Sequence, residues 1–166
     1  MKKIIYALFI LFLTSCQQNK TIAPEIIETA IKNVVTEETY AYMEKDYEKW
    51  ASYWGHSGAV LRLDVTKEGF SQTRGWDKSG GHLERFFKEN PEPITSTFVN
   101  SNYLIFYDAE LAWVAFDQTW TSQAGEETAA KAAITLIKKD TAWKIISYTA
   151  IQYDADDNNV DTLGRE

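Results

Sequence analysis

Asp117, His56 and Asp64 are the side chains in this sequence best suited to moving a proton. Asp117 lies in Trp113-Val114-Ala115-Phe116-Asp117-Gln118-Thr119-Trp120, a predicted strand. Side chains alternate along a strand, so Trp113, Ala115, Asp117 and Thr119 share one face. Val114, Phe116, Gln118 and Trp120 share the other. If the first face looks inward, Asp117 sits in an aromatic pocket and desolvation raises its pKa. If the second does, Gln118 and Trp120 line a neutral pocket and Asp117 belongs to an outer face suited to a dimer contact. His56, in Trp54-Gly55-His56-Ser57, can act as acid or base near neutral pH, or cap a helix end or face water. Arg62 or Arg74 can pair with an internal acid or a carboxylate ligand. Trp54, Trp76, Trp113 and Trp120 offer wide surfaces with one polar N–H each, which suit a pocket wall or a core.

Other chemistries lack their residues. His56 and His82 are the only histidines, and no spaced carboxylates accompany them as zinc ligands would. His82 follows Gly80-Gly81 and reads as a surface position. Asp154-Ala155-Asp156-Asp157-Asn158-Asn159 resembles the start of a calcium-binding EF-hand loop, but Arg165 stands where the closing acid belongs. There is no Gly-x-Ser-x-Gly and no glycine-rich phosphate loop, and the one cysteine is Cys16. The expectation is therefore a protein without metal or cofactor.

Cys16 carries a different message. Met1-Lys2-Lys3 precedes an apolar run of ten residues, 4–13, too short to span a bilayer and fit for a secretory leader. Leu13-Thr14-Ser15-Cys16 resembles the lipobox of bacterial lipoproteins. That resemblance implies cleavage before Cys16, a lipid on its sulfur and a place in the bacterial cell envelope, on the periplasmic or outer-membrane side. Residues 1–15 are then a signal peptide and 16–23 a lipidated tether. The formal net charge of −7 falls to −9 once Lys2 and Lys3 leave with the leader. So acidic a chain is a poor partner for nucleic acid or anionic lipid. With no second cysteine, a disulfide framework is excluded and the core alone must hold the domain.

The elements that position these residues follow from periodicity. Ile27, Ile31 and Val34, then Met43, Tyr47, Trp50 and Trp54, recur at helical spacing after Pro24. They predict a long helix to about Lys45, a break near Asp46 and a short helix ending at Gly55. Residues 59–65 alternate as a strand does. Gly75-Trp76-Asp77 turns into a helix with Leu83, Phe86 and Phe87 as its apolar face, ended by Pro91 and Pro93. Strands are predicted over 94–107, 110–122, 128–139 and 142–153, and their short connections imply an antiparallel meander. Residues 154–166 read as an acidic disordered tail, leaving 24–153 as one domain.

This α+β order resembles the NTF2-like superfamily, and within it the SnoaL-like and ketosteroid-isomerase-like group. The resemblance rests on Trp50, Tyr53 and Trp54, on Ala59-Val60-Leu61, on Gly75-Trp76-Asp77, on Ala112-Trp113-Val114 to Trp120, and on Trp143-Lys144-Ile145-Ile146. It implies a cystatin-like cone, with N-terminal helices packed in a curved antiparallel sheet, a pocket in the cone and a homodimer through the outer sheet face. The isomerases place an Asp base on the first strand; here the alignment puts Arg62 there, and Glu38 where they carry a tyrosine. Asp64 reaches the base position only after a two-residue shift, which argues against steroid-type isomerisation. Three functions follow as expectations: a cone binding a small apolar or amphipathic ligand, an isomerase-, cyclase- or dehydratase-type enzyme, or an envelope scaffold. The expected pocket residues are Trp54, Arg62, Trp76, Trp113, Gln118 and Trp120.

Overall fold

A computed structural model describes residues 23–153. The leader, Cys16 with its tether and the acidic tail with its EF-hand-like start lie outside the described residues. Helix α1 (Pro24–Glu44) begins with proline in its first turn, where the missing N–H has no partner to lose. It buries Ile31, Val35, Glu38, Thr39 and Ala41. The predicted stripe was slightly misaligned: Ile27 and Val34 are only half-buried, and the buried line passes through Val35 and Glu38. Lys45 closes the helix in the left-handed conformation (φ 59°), and Asp46 caps α2 (Tyr47–Ser52) by accepting from the Lys49 N–H at 2.9 Å. The break at Asp46 is therefore where the sequence predicted it. The helix stops at Ser52, short of Gly55, because Tyr53, Trp54 and Gly55 run along the sheet instead. Gly55 N–H donates to Ile145 O at 2.8 Å, and Ile145 N–H returns to Tyr53 O at 2.8 Å.

Six strands follow in one sheet: β1 (Leu61–Thr66), β2 (Gly69–Arg74), β3 (Thr97–Tyr107), β4 (Leu111–Thr121), β5 (Glu127–Lys139) and β6 (Ala142–Tyr153). Helix α3 (Trp76–Glu89) separates β2 from β3. The spatial order is β2-β1-β6-β5-β4-β3. The predicted meander is β3 to β6, each pair antiparallel, while β1 joins β6 in parallel. Two corrections apply. The strand predicted over 59–65 starts at Leu61, and β2 was not foreseen. Gly-Phe-Ser-Gln-Thr-Arg is exposed at five of six positions, so no apolar alternation marks it. Its role is to pair the otherwise open edge of β1.

Register shifts after Ser101 in β3 and after Thr135 in β5 bend the sheet around the helices. The inner face then tapers in side-chain size. Trp143, Ile145, Leu136 and Ile134 fill one end, against Ile31, Val35 and Trp54. Toward the other end β5 and β6 supply Ala130, Ala132 and Ala150, which fill far less. Small residues at that end leave the space that the sheet's curvature encloses. The architecture is the NTF2-like, cystatin-like α+β cone.

Candidate functional site

That space is a cavity of about 320 Å³, with Ala130, Ala150 and Thr128 on its sheet side and Thr39, Tyr42 and Ile94 opposite. Glu38 enters it from the buried face of α1 with 4% exposure. Trp50 and Trp54, four residues apart across the end of α2, both aim their indoles at this carboxylate. Trp50 Nε1 donates to Oε1 at 2.6 Å and Trp54 Nε1 to the same oxygen at 3.1 Å. Both bonds fall on Oε1, so Oε2 has no partner among the described residues and is the oxygen left to the cavity. Burial pushes the Glu38 carboxyl above its ordinary value, against the opposing pull of Arg62 and the two indoles.

Arg62 and Asp64 stand two apart on β1, hence on one face. Arg62 Nε meets Asp64 Oδ2 at 2.9 Å and Nη2 meets Oδ1 at 3.3 Å, a bidentate pair whose side chains are 17% and 33% exposed. The guanidinium lies 4.9 Å from the centre of the Tyr148 ring and 5.9 Å from that of Tyr42. Burial raises both phenols, so each hydroxyl keeps its proton near neutral pH. On β4, Trp120 Nε1 donates to Gln118 Oε1 at 2.9 Å and Gln118 Nε2 to Asn100 Oδ1 at 3.0 Å. This chain fixes the buried Gln118 amide in the cavity wall. A second cavity, about 250 Å³, shares Tyr42, Arg62 and Asp64 with the first and is otherwise lined by Ser71, Thr73, His82, Leu83 and Phe86. The ion pair is thus the partition between two spaces.

The structure settles which face of β4 looks inward: that of Val114, Phe116, Gln118 and Trp120. It brings Arg62, Asp64, Gln118 and Trp120 together, with Trp54 just behind Glu38. Asp117 is a correction, because it lies on the outer face and outside the cavity. Partial burial would raise its carboxyl, but the Asn102 amide and Lys131 ammonium, each at 2.7 Å, outweigh it and hold the pKa below the ordinary value. Trp113 is outside too, 37% exposed and 6.0 Å from Phe106 between ring centres. Trp76 packs in the helical layer, stacked on Trp50 at 5.9 Å and on His56 at 4.0 Å, and does not line the cavity. It also lies over Gly80, where a Cβ would come within 2.8 Å of the indole. The exposed His56 ring sits 2.9 Å from Ala51 O through Nε2, the helix-capping role. Sequence reasoning missed Glu38 as a site residue, and with it Tyr42 and Tyr148. The available signal was a glutamate in register with Ile31 and Val35 on an apolar helix face. Among the described residues no three His, Cys, Asp or Glu side chains converge as metal ligands.

Comparison with known proteins supports the fold and stops there. No protein-family model matches the chain. No curated protein matches it either. Solved structures do. An NTF2-like protein of unknown function from Pseudomonas putida superposes with a TM-score of 0.63 at 12% identity, over 80% of this chain and 92% of its own. A protein with a cystatin-like fold from Caulobacter vibrioides gives 0.62 at 16% identity, over 84% and 98%. The S. rosetta CaMKII hub gives 0.59 at 14% identity, over 75% and 95%. The chain thus carries an NTF2-like domain by fold, with identities too low to carry a function across.

Glu38 generates a prediction with a definite sign. A carboxyl whose pKa is higher folded than unfolded binds its proton more tightly in the folded state. Its contribution to stability is full below the ordinary value of 4.5 and is lost as pH rises through the folded value. Glu38→Gln keeps an oxygen for both indoles and removes the charge. Its melting temperature should match wild type near pH 4 and exceed it increasingly above, in thermal scans followed by circular dichroism. A constant difference across pH would refute the perturbed carboxyl. Glu38→Ala strands two buried indole donors, at about 1–3 kcal/mol each, and should destabilise at every pH.

Proposed function

We propose that this chain is a lipid-anchored bacterial envelope protein whose cone takes up a small amphipathic molecule. The observation that carries this reading is the composition of the cavity wall. Tyr42, Ile94, Trp120 and Tyr148 give it apolar surface, while Glu38, Arg62 and Asp64 give it charge. A wholly apolar ligand would strip water from those three groups and return no hydrogen bonds, a net cost. A wholly polar one would waste the aromatic surface. At about 320 Å³ the space is at the small end of ligand pockets.

The anchor is supported by the lipobox-like Leu13-Thr14-Ser15-Cys16 and by Cys16 being the one cysteine. Among the described residues no helix is long and apolar enough to cross a membrane. Glu38 follows Ala23, where the tether joins, by 15 residues, or about 22 Å of helix. The tether therefore attaches at the opposite end of α1 from the cavity. The outer sheet face exposes Val99, Leu104, Phe106, Leu111 and Trp113, a surface suited to a homodimer or envelope scaffold. A second functional reading, an isomerase-, cyclase- or dehydratase-type enzyme, is favoured by one observation. Glu38 offers a free oxygen to the cavity beside an arginine and two protonated phenols. In that reading Glu38, rather than Asp117, moves the proton.

Native mass spectrometry of the protein taken from a bacterial host tests the cone. A small molecule should co-purify or be captured from an extract, and Trp120→Ala should lose it; retention by the variant counts against the cavity. Cys16→Ala should leave the membrane fraction for the soluble one, and unchanged partitioning would sink the anchor. Sedimentation of the lipid-free domain should give the mass of two chains, and Phe106→Asp that of one.

A further inference from the structure

The cavity wall holds buried groups with bonding capacity left over, and their arrangement defines a ligand chemistry. A guanidinium has five N–H donors in a planar fork. Arg62 spends Nε and Nη2 on Asp64, and Nη1 has no partner among the described residues. Glu38 spends Oε1 on two indoles and keeps Oε2. Both side chains border the same cavity. Gln118 offers less, because its amide is engaged at both ends by Trp120 and Asn100. Of the charged groups, the arginine fork and the glutamate oxygen keep capacity for a ligand, beside the Tyr42 and Tyr148 hydroxyls, Thr128 and Gln152 in the same wall.

Charge narrows the choice. Glu38, Arg62 and Asp64 are the charged residues in the wall. Arg62 is already compensated by Asp64 in a bidentate pair. A carboxylate ligand approaching Arg62 would face the two acids. A cationic ligand approaching Glu38 would face the arginine. An uncharged group with an acceptor beside a donor meets neither objection. A carboxamide, lactam or urea has that form. It also suits either protonation state of Glu38, since its N–H can donate to a carboxylate and its carbonyl can accept from a carboxylic acid. The upward push of burial on that carboxyl works in the same direction, toward a neutral site.

We infer that the cone selects an uncharged ligand through a carboxamide-type group, whose carbonyl oxygen takes the free Arg62 N–H groups and whose N–H faces Glu38 Oε2. This rests on the ligand-binding reading of the cone and names its recognition chemistry. The aromatic surface of Tyr42, Trp120 and Tyr148 would hold the ligand's apolar body.

Three probes of equal shape and different charge test it at neutral pH: 2-naphthamide, 2-naphthoate and 2-naphthamidine. Binding is read from the indole N–H signals of Trp50, Trp54 and Trp120 in NMR titrations. The amide should bind at least about tenfold more tightly than either ion. Arg62→Lys keeps a cation for Asp64 but loses the fork, and should weaken the amide by about tenfold or more. If the carboxylate or the amidine binds as tightly as the amide, the inference is overturned while the cone still binds ligands. If no probe moves any of the three indole signals, the inference and the binding reading fall together. Should Arg62→Lys not fold, the comparison of the three probes on the unaltered protein decides alone.

Discussion

The structure hangs on one buried carboxylate oxygen. Glu38 Oε1 accepts from Trp50 and Trp54, and these bonds join the long helix to the short one at a fixed angle. A glutamate that is 4% exposed needs partners for its lone pairs, and Oε1 has two. Two indoles from adjacent turns are a compact way to use them. Each indole then commits more of the chain. Trp50, fully buried, packs on Trp54, Trp76 and Phe87 at ring distances of 5.3, 5.9 and 6.2 Å, which seats α3. Trp54 pairs with Ile145 beside β6, which seats the helices on the sheet. The polar pair is thus a registration device for an otherwise apolar layer, in which many aromatic packings would be nearly equal in energy.

The same oxygen-sharing makes the cavity chemically uneven. Sheet curvature and the small residues of β5 and β6 create space, and α1 presents its one buried acid there. Satisfying Glu38 from behind uses one oxygen and leaves the other in front. On the facing strand, Arg62 is held by Asp64 on one side and by two phenol rings on the others, so its fork cannot swing freely. The cavity therefore contains fixed polar groups in a wall of mixed character, shielded enough for hydrogen bonds to be stronger than in water. Lining of this kind would position a ligand as well as retain it.

The sequence revealed those parts of the fold whose signals are local. The four strands of the meander alternate cleanly between short turns, and Lys45-Asp46 marks the helix break by its own turn chemistry. β2 is hidden because both its faces meet water; only its pairing with β1 makes it a strand. β4 is ambiguous for a different reason. Trp113 and Ala115 on one face are as apolar as Val114 and Phe116 on the other, so periodicity has no preference. The decision is made by Asp117 and Gln118, most of whose partners come from other strands. Lys131 and Asn102 can satisfy a carboxylate on the outside, whereas Asn100 and Trp120 can satisfy an amide within. Glu38 is hidden by the same non-locality. Its register with Ile31 and Val35 is legible, but the indoles that make its burial possible lie 12 and 16 residues downstream.

Placing arginine on the first strand changes the chemistry the cone can do. An acid at that position would be the natural proton carrier. Arg62 instead holds Asp64 in a bidentate pair. The uncompensated titratable group is moved across the cavity to α1. In the two readings proposed for the cone, binding and proton transfer would both fall to a single atom, Glu38 Oε2. A ligand that merely donates to this oxygen is held by it. One that brings an acidic C–H within reach, with its carbonyl on Arg62, would have that proton taken while the guanidinium stabilises the negative charge left behind. The protein supplies the same geometry in both cases. What separates a receptor from an enzyme here is the acidity of the bond the ligand presents to Glu38.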